Sequence, residues 1–129
     1  MDNKFLVGKY NSRFNEILNV NYEALDIYSS DGLPIHMKKR KHDNCLKYIE
    51  NIPEIINNPD YVGINPKEKG CSLELIKRYE DNVLIGIKLD TDERYYYVST
   101  MFEIQERKIE RRLYSGRIKK FHVDTVEEK

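Results

Sequence analysis

The most constraining feature of the chain is an apolar run, VLIGIKL, at Val83–Leu89. It lies between two turn-like segments, Glu80–Asn82 and Thr91–Glu93. A short apolar run between turns is typical of a central β-strand that is buried on both faces. A second strand is predicted at Arg94–Phe102, which is rich in β-branched and aromatic residues, and a third at Leu73–Arg78. The second half of the chain therefore predicts an antiparallel sheet.

Helices are predicted mainly in the first half of the chain. The segment Gly32-Leu33-Pro34 opens a helix that carries residues 36–42, because proline is tolerated in the first helical turn. The next helix, over about residues 44–57, is kinked or split by Pro53, and a closing helix over 104–114 ends before Gly116. A short helix near Phe14 and short strands at residues 5–10, at 24–29 and after NNPDYVG complete the outline. The predicted class is α+β: helices first, then an antiparallel sheet of three or four strands, then a closing helix.

Size and composition limit the class of protein. A chain of 129 residues, 40% hydrophobic and 34% charged, is expected to form a single domain over residues 1–129. No apolar run approaches the roughly 18 residues that span a membrane, and the N-terminus does not read as a secretion signal. Cys45 and Cys71 have no CxxC partner, so reduced thiols in a cytoplasmic protein are expected, without a structural zinc site. No metal or cofactor is expected.

Charge is distributed unevenly although the net charge is zero. Residues 36–42 carry four cations and no anion, and residues 107–120 carry seven cations and one anion. The rest of the chain is acidic. If the fold joins the two basic segments, they form one positive cleft, which attracts phosphate groups even in a neutral protein.

The segment IYSSDGLPIHMKKRKH, Ile27–His42, contains two of the three histidines. On a helix, His36, Lys39 and Arg40 lie on one face at spacings i, i+3 and i+4, whereas His42 points elsewhere unless the helix ends before it. A neutral imidazole is a general base near pH 7, and neighbouring cations stabilise charge on a phosphate. These residue types suit RNA cleavage without a metal. The alternative is a solvated basic face or a general nucleic-acid contact.

Other candidates come from the second half of the chain. Ser99 and Thr100 could direct one hydroxyl toward a cleft, or they could be ordinary strand positions. Arg117, after Ser115-Gly116, could face a phosphate, or it could follow a plain helix cap. The run Tyr95–Tyr97 is more typical of a strand that is half core and half surface than of a base-stacking platform.

Five segments of the chain, in this order, resemble one nuclease family. They are IYSSDGLPIHMKKRKH, NNPDYVGINPKE, SLELIKRYEDNVLIGIKLD, YYYVSTMFEI and KIERRLYSGRIKKF, and they cover roughly residues 25–121. The chain is similar in these segments to the phage barnase–EndoU–colicin–RelE-like nucleases. The resemblance implies N-terminal helices packed on a four-stranded antiparallel sheet, with a closing C-terminal helix. It also implies that the two basic segments meet on one cleft.

The resemblance implies a metal-independent endoribonuclease, typical of a toxin or effector from a phage or mobile element, acting by 2′-OH transesterification. It points to His36, the basic residues after it and His42, to an alcohol on the last long strand, and to Arg117. The resulting hypothesis assigns acid–base work to His36 and His42, with Lys39 and Thr100 also catalytic. Phosphate and RNA binding are assigned to the basic and hydroxyl residues Arg40, Lys41, Lys77, Ser99 and Arg117.

The expected partners are RNA (tRNA or mRNA), whose unpaired bases could stack on tyrosines, and a cognate inhibitor protein; no membrane partner is expected. The rival hypothesis is a binding module without catalysis: a degenerate nuclease fold that binds nucleic acid or a protein. A cleft that joins His36 to Thr100 and Arg117 would favour the enzyme, and scattered positions would favour the binding module.

Overall fold

The computed structural model describes residues 3–122 and contains seven strands and four α-helices, with a 3₁₀ segment before the third helix. The strands are β1 Lys4–Lys9, β2 Asp26–Ser30, β3 Tyr61–Ile64, β4 Ser72–Arg78, β5 Asn82–Asp90, β6 Tyr95–Glu103 and β7 Ile118–Lys120. The helices are α1 Arg13–Leu18, α2 Gly32–Lys39, α3 Ile52–Asn57 and α4 Glu106–Ser115, and the 3₁₀ segment η1 is Asp43–Asn51. No helix among these residues is long and apolar enough to cross a membrane.

All seven strands join in one mixed sheet with the order β1-β2-β6-β5-β4-β3-β7. The β2–β6 pair is parallel and the other pairs are antiparallel. The prediction of a four-stranded antiparallel sheet beneath N-terminal helices is therefore wrong, although the α+β class is right. Among residues 3–122 the first element is β1, and α4 does not close the fold because β7 follows it. The predicted β4-β5-β6 sheet is extended by β1 and β2 at one edge and by β3 and β7 at the other.

The sheet is covered on both faces, because its central strands alternate between two apolar clusters. One cluster packs α1, α2, η1 and α3 against residues such as Leu75, Ile85 and Tyr96. The other packs α4 through Ile109 against Ile76 and Leu84. The expected central strand is β5, where residues 83–87 are buried on both faces.

The helix predicted at residues 44–57 is split into two segments next to Pro53. η1 ends at Asn51 and α3 begins at Ile52, with Pro53 in the first turn, the position where the missing N–H removes no helical hydrogen bond. α2 follows β2 and packs against β6 and η1. One side of α2 buries Leu33 and Met37, whereas His36 is only half-buried.

Candidate active site

Three rows of side chains cross the sheet on the face that carries α4. Paired residues of neighbouring strands point to the same face, so the registers of β4, β5 and β6 define the rows directly. The first row is Ser72, Lys88 and Tyr97; the second is Glu74, Gly86 and Thr100; the third is Ile76, Leu84 and Phe102. The apolar third row packs beneath α4. The second row, which is polar or small, does not belong to the apolar cluster beneath α4 and becomes the floor of a cleft.

This cleft has a volume of about 430 Å³. Its walls come from α2 and the turn after it, from the loop between β3 and β4, and from α4 and the turn after it. Its lining residues are His36, Arg40, His42, Asn65, Glu68, Ser72, Glu74, Leu84, Gly86, Lys88, Ser99, Thr100, Phe102, Arg112 and Arg117.

The end of α2 explains how two histidines six residues apart reach the same cleft. The backbone N–H of His42 donates to the Met37 carbonyl at 2.7 Å, and that of Lys41 donates to the Lys38 carbonyl at 3.1 Å. Lys41 has φ +60°. These two bonds with a left-handed residue form a Schellman motif, which ends the helix and reverses the chain. His42 is thereby brought back toward the side that carries His36, while Lys41 remains exposed.

The imidazoles of His36 and His42 are half-buried, and their nitrogens are not hydrogen-bonded to the described part of the chain. Within residues 3–122, neither ring makes a hydrogen bond to a backbone or side-chain group. The ring of His42 lies against Phe102 with centroids 5.3 Å apart and planes tilted by 35°. The ring nitrogens of both histidines are therefore available to accept or donate protons to a molecule in the cleft.

The serine and threonine hydroxyls on β6 differ in availability. A register shift between Gly86 and Ile87 places Ser99 in a bulge, where its Oγ donates to the Gly86 carbonyl at 3.2 Å. Thr100 lies directly opposite Gly86, and its hydroxyl has no partner in the described part of the chain. Thr100 is therefore the hydroxyl that is free to contact a bound group.

A carboxylate at the centre of the cleft holds two arginines. Glu74 is only 5% exposed and accepts from Arg117 through Nε at 3.1 Å and Nη2 at 2.8 Å. Nη1 of Arg112 lies 3.4 Å from the same carboxylate. A two-point pair of this kind fixes the plane of a guanidinium. The three groups sum to one positive charge, so the cluster presents an oriented cation rather than a neutral pair.

The electrostatics of Arg112 show opposing influences. Burial lowers its pKa, the Glu74 carboxylate raises it, and the Arg117 guanidinium lowers it again, with a lower pKa as the net result. Arginine nonetheless remains protonated throughout the physiological range. The proximity of the two guanidiniums leaves their charge incompletely balanced, and a phosphate in the cleft would complete that balance.

The turn after α4 aims Arg117 at the carboxylate. Gly116 ends the helix in the left-handed region at φ +84°, and the backbone N–H of Arg117 donates to Ser115 Oγ at 3.3 Å. β7 then pairs with β3 opposite Gly63. A Cβ at Gly63 would lie 2.3 Å from the Arg117 carbonyl oxygen, so the absence of a side chain there permits this close approach.

We expect Gly63→Ala to lower the free energy of unfolding by about 2 kcal/mol, because the added methyl would press on backbone atoms that cannot rotate away. Denaturation in urea measures this change. Gly86→Ala is the matched control, because Gly63 and Gly86 are both paired with Glu74. Its methyl would meet the methyl of the Thr100 side chain at the longer distance of 2.9 Å, so we expect a smaller loss of stability. An equal cost for both substitutions would contradict the argument.

The structure brings together six of the nine residues proposed from the sequence: His36, Arg40, His42, Ser99, Thr100 and Arg117 all line the cleft. Lys39 and Lys41 are exposed and do not line it. Lys77 alternates onto the other face of β4, where its Nζ donates to the Asn58 carbonyl at 2.8 Å. Of the three residues predicted to share a helix face, His36 and Arg40 line the cleft and Lys39 does not.

Two members of the central cluster escaped the sequence reasoning, Glu74 and Arg112. The signal for Glu74 was a carboxylate inside an otherwise apolar stretch of strand, SLELI. The signal for Arg112 was its spacing of three from the buried Ile109, which turns an arginine toward the sheet. Among residues 3–122, no group of three or more His, Cys, Asp or Glu side chains is placed to hold a metal ion.

Comparison with known proteins gives a family match. A family model described as phage-Barnase-EndoU-ColicinE5/D-RelE like nuclease3 matches residues 4–111. That segment contains both cleft histidines, Glu74 and Thr100; Arg112 and Arg117 follow it. Neither the curated proteins nor the solved structures gave a significant match. Because the family model covers most of the chain, the protein belongs to this family of barnase-, EndoU-, colicin- and RelE-like nucleases.

Proposed function

We propose that this protein is a metal-independent endoribonuclease that cleaves RNA by transesterification at the 2′-OH. One observation carries the proposal: proton-transferring, hydroxyl and cationic groups line one cleft, represented by His36, Thr100 and Arg117. These groups come from α2, β6 and the turn after α4, so their meeting depends on the fold and not on sequence proximity. Membership of a nuclease family supports the same reaction class.

The reaction needs three tasks from the protein, and the cleft contains groups for each. One imidazole, from His36 or His42, accepts the proton of the 2′-OH, and the other donates a proton to the departing 5′-oxygen. The 2′-oxygen forms a bond to phosphorus as the bond to the 5′-oxygen breaks, which yields a 2′,3′-cyclic phosphate and a free 5′-OH. The nucleophile belongs to the substrate, so the protein need not activate a water molecule.

The third task is to stabilise the negative charge that develops on the phosphorane. Arg117 and Arg112, held by Glu74, and the exposed Arg40 lie around the floor of the cleft. Fixed cations stabilise developing charge without reorganising during the reaction. The free hydroxyl of Thr100 donates to a non-bridging phosphate oxygen. Ser99, whose hydroxyl is bonded to the backbone, shapes the bulge instead.

The family description also supports a proposal for the biological setting. Its description names phage, barnase, colicin and RelE-like nucleases, which supports a toxin or effector of a phage or mobile element that acts on tRNA or mRNA in the cytoplasm. A toxin of this kind would need a cognate inhibitor protein. Growth arrest of host cells on induction of the wild-type protein would support this setting; normal growth with abundant soluble protein would oppose it.

The experiment that tests the proposal is incubation of the purified protein with total bacterial RNA in excess EDTA. We expect discrete fragments with 2′,3′-cyclic phosphate ends. An RNA oligonucleotide with a single 2′-deoxy substitution at the mapped cleavage position should resist cleavage there. A doubly substituted variant, His36→Ala with His42→Ala, purified in the same way, measures contaminating nuclease.

Other outcomes would replace the proposal. Cleavage that requires a divalent cation, or fragments with 5′-phosphate ends, would exclude transesterification by the 2′-OH. RNA that is retained but never cut would favour a binding module with a degenerate nuclease fold.

A further inference from the structure

Three tyrosines continue the cleft along the open face of the sheet. Tyr97 belongs to the same row as Lys88, which lines the cleft. Tyr95, two residues earlier on β6, shares the face of Tyr97 because side chains alternate along a strand. Tyr28 is paired with Tyr97 through the parallel strands β2 and β6. We call these three residues together with Lys4 the tyrosine patch.

The patch is built by mutual contacts. The rings of Tyr28 and Tyr95 meet edge to face with centroids 5.4 Å apart, and those of Tyr95 and Tyr97 lie 6.4 Å apart at 64°. The Lys4 ammonium lies 3.8 Å from the Tyr95 centroid and 5.0 Å from that of Tyr28. A shallow depression of about 210 Å³ lies between these side chains.

The tyrosines of the patch are not part of the hydrophobic core. None of its tyrosines belongs to either buried cluster of the sheet. Tyr96, which lies between Tyr95 and Tyr97 on β6 and points to the other face, is 1% exposed and packs into the core. All three are half-buried at the surface. Aromatic rings that are held in place but not buried form a rigid surface, which contacts a planar partner at little cost in conformational entropy.

The position of the patch identifies the planar partner. Tyr97 and Thr100 are separated along β6 by roughly 10 Å, so a strand whose phosphate lies over Thr100 continues onto Tyr97. Lys4 provides a cation at the far side of the rings. Aromatic side chains beside cations are the recurring means of binding single-stranded nucleic acid, with bases on the rings and phosphates on the cations.

We propose that the tyrosine patch is a nucleobase subsite for the RNA strand cleaved in the adjoining cleft. Tyr97 stacks on an unpaired base near the scissile phosphate, and Lys4 binds the backbone phosphate beyond. Tyr95 supports the ring of Tyr97, and Tyr28 supports the ring of Tyr95. This inference rests on the proposed function for the identity of the strand. Because a duplex keeps its bases stacked on one another, the subsite selects unpaired RNA.

A ligand that cannot be cleaved separates the subsite from the chemistry. The probe is a fluorescein-labelled deoxyadenosine oligomer of about six nucleotides, which has bases and phosphates but no 2′-OH. Fluorescence anisotropy gives its Kd for the wild type and for Tyr97→Leu, which keeps apolar bulk but removes the ring. We expect Tyr97→Leu to weaken binding about tenfold, and Tyr97→Trp to preserve binding.

Tyr114 offers a matched control, because it is 95% exposed on α4 and outside the patch. Tyr114→Leu should leave the Kd unchanged. The chain contains no tryptophan, so Tyr97→Trp and Tyr114→Trp each introduce a single tryptophan, whose fluorescence is observed separately from that of the tyrosines. Stacking of a base should quench the fluorescence of the Tyr97→Trp variant and spare that of Tyr114→Trp.

The results distinguish this inference from the proposed function. An unchanged Kd for Tyr97→Leu together with unquenched fluorescence of Tyr97→Trp would overturn the subsite, whether or not the wild type cleaves RNA, and would leave the patch as a surface for a protein partner. Weakened binding by Tyr97→Leu in a protein that cleaves no RNA would support the subsite and refute the enzyme.

Discussion

Replacing His36 with alanine is expected to slow RNA cleavage by about 10²–10⁴-fold, the usual contribution of a positioned general acid or base. The side chain is half-buried at the cleft and forms no hydrogen bond to the fold within residues 3–122, so its removal should leave the stability of the protein nearly unchanged. RNA binding should also persist, since the arginine cluster does not depend on the imidazole. Initial rates on a short RNA that spans one mapped cleavage site provide the measurement.

His122 supplies the matched control for this substitution. It is exposed next to Phe121 and does not line the cleft, so His122→Ala should cleave RNA at the wild-type rate. Equal rates for wild type and His36→Ala would remove His36 from the mechanism. A parallel loss of RNA binding would instead make His36 a phosphate contact.

The second large effect is expected for Glu74→Gln, which keeps the shape of the side chain and removes its charge. We expect a loss of about 3 kcal/mol in the free energy of unfolding, because two guanidiniums lose their shared partner in a largely buried position. Each arginine side chain is 19% exposed, and this partial exposure keeps the loss at the lower end of the range for buried pairs. Cleavage should also weaken, since Arg117 loses the two-point contact that fixes its plane.

Inorganic phosphate provides a sharp check on the Glu74 argument. A free anion that binds the released arginines stabilises the folded state by mass action, so phosphate should raise the Tm of Glu74→Gln more than that of the wild type. Glu68→Gln is the stability control, because its exposed ion pair with Lys88 at 3.3 Å is worth at most about 1 kcal/mol. Equal losses for the two variants would show that the buried cluster is no stronger than a surface pair.

The sequence predicted most individual strands and helices, because each leaves a local pattern. VLIGIKL became β5, and the proline at residue 53 separated η1 from α3. Strand pairing is a different matter. The parallel contact of β2 with β6 rests on two residue pairs, and β7 has three residues. Neither has a periodicity of its own, so the seven-stranded sheet could not be counted from the sequence.

The residue types of the candidate site were predictable from the sequence, but their placement was not. Histidines, hydroxyls and arginines can be proposed by residue type, and the cleft contains six of the nine that were proposed. Which cations face the cleft depends on where a helix ends and on which face of a strand a residue occupies. The left-handed Lys41 ends α2, and alternation on β4 separates Lys77 from Glu74. Both features depend on backbone geometry, which cannot be read from the amino-acid composition.

The pairing of β7 with β3 has a consequence for the timing of activity during synthesis. The cleft takes residues from His36 to Arg117, and Arg117 is anchored by the turn that leads into β7. Chains emerge from the ribosome with the N-terminus first, so the nascent protein carries its two cleft histidines long before the arginine that completes the cluster. The cleft stays unfinished until β7 has emerged, so the proposed cleavage of RNA would begin only after nearly the whole sheet has been synthesised.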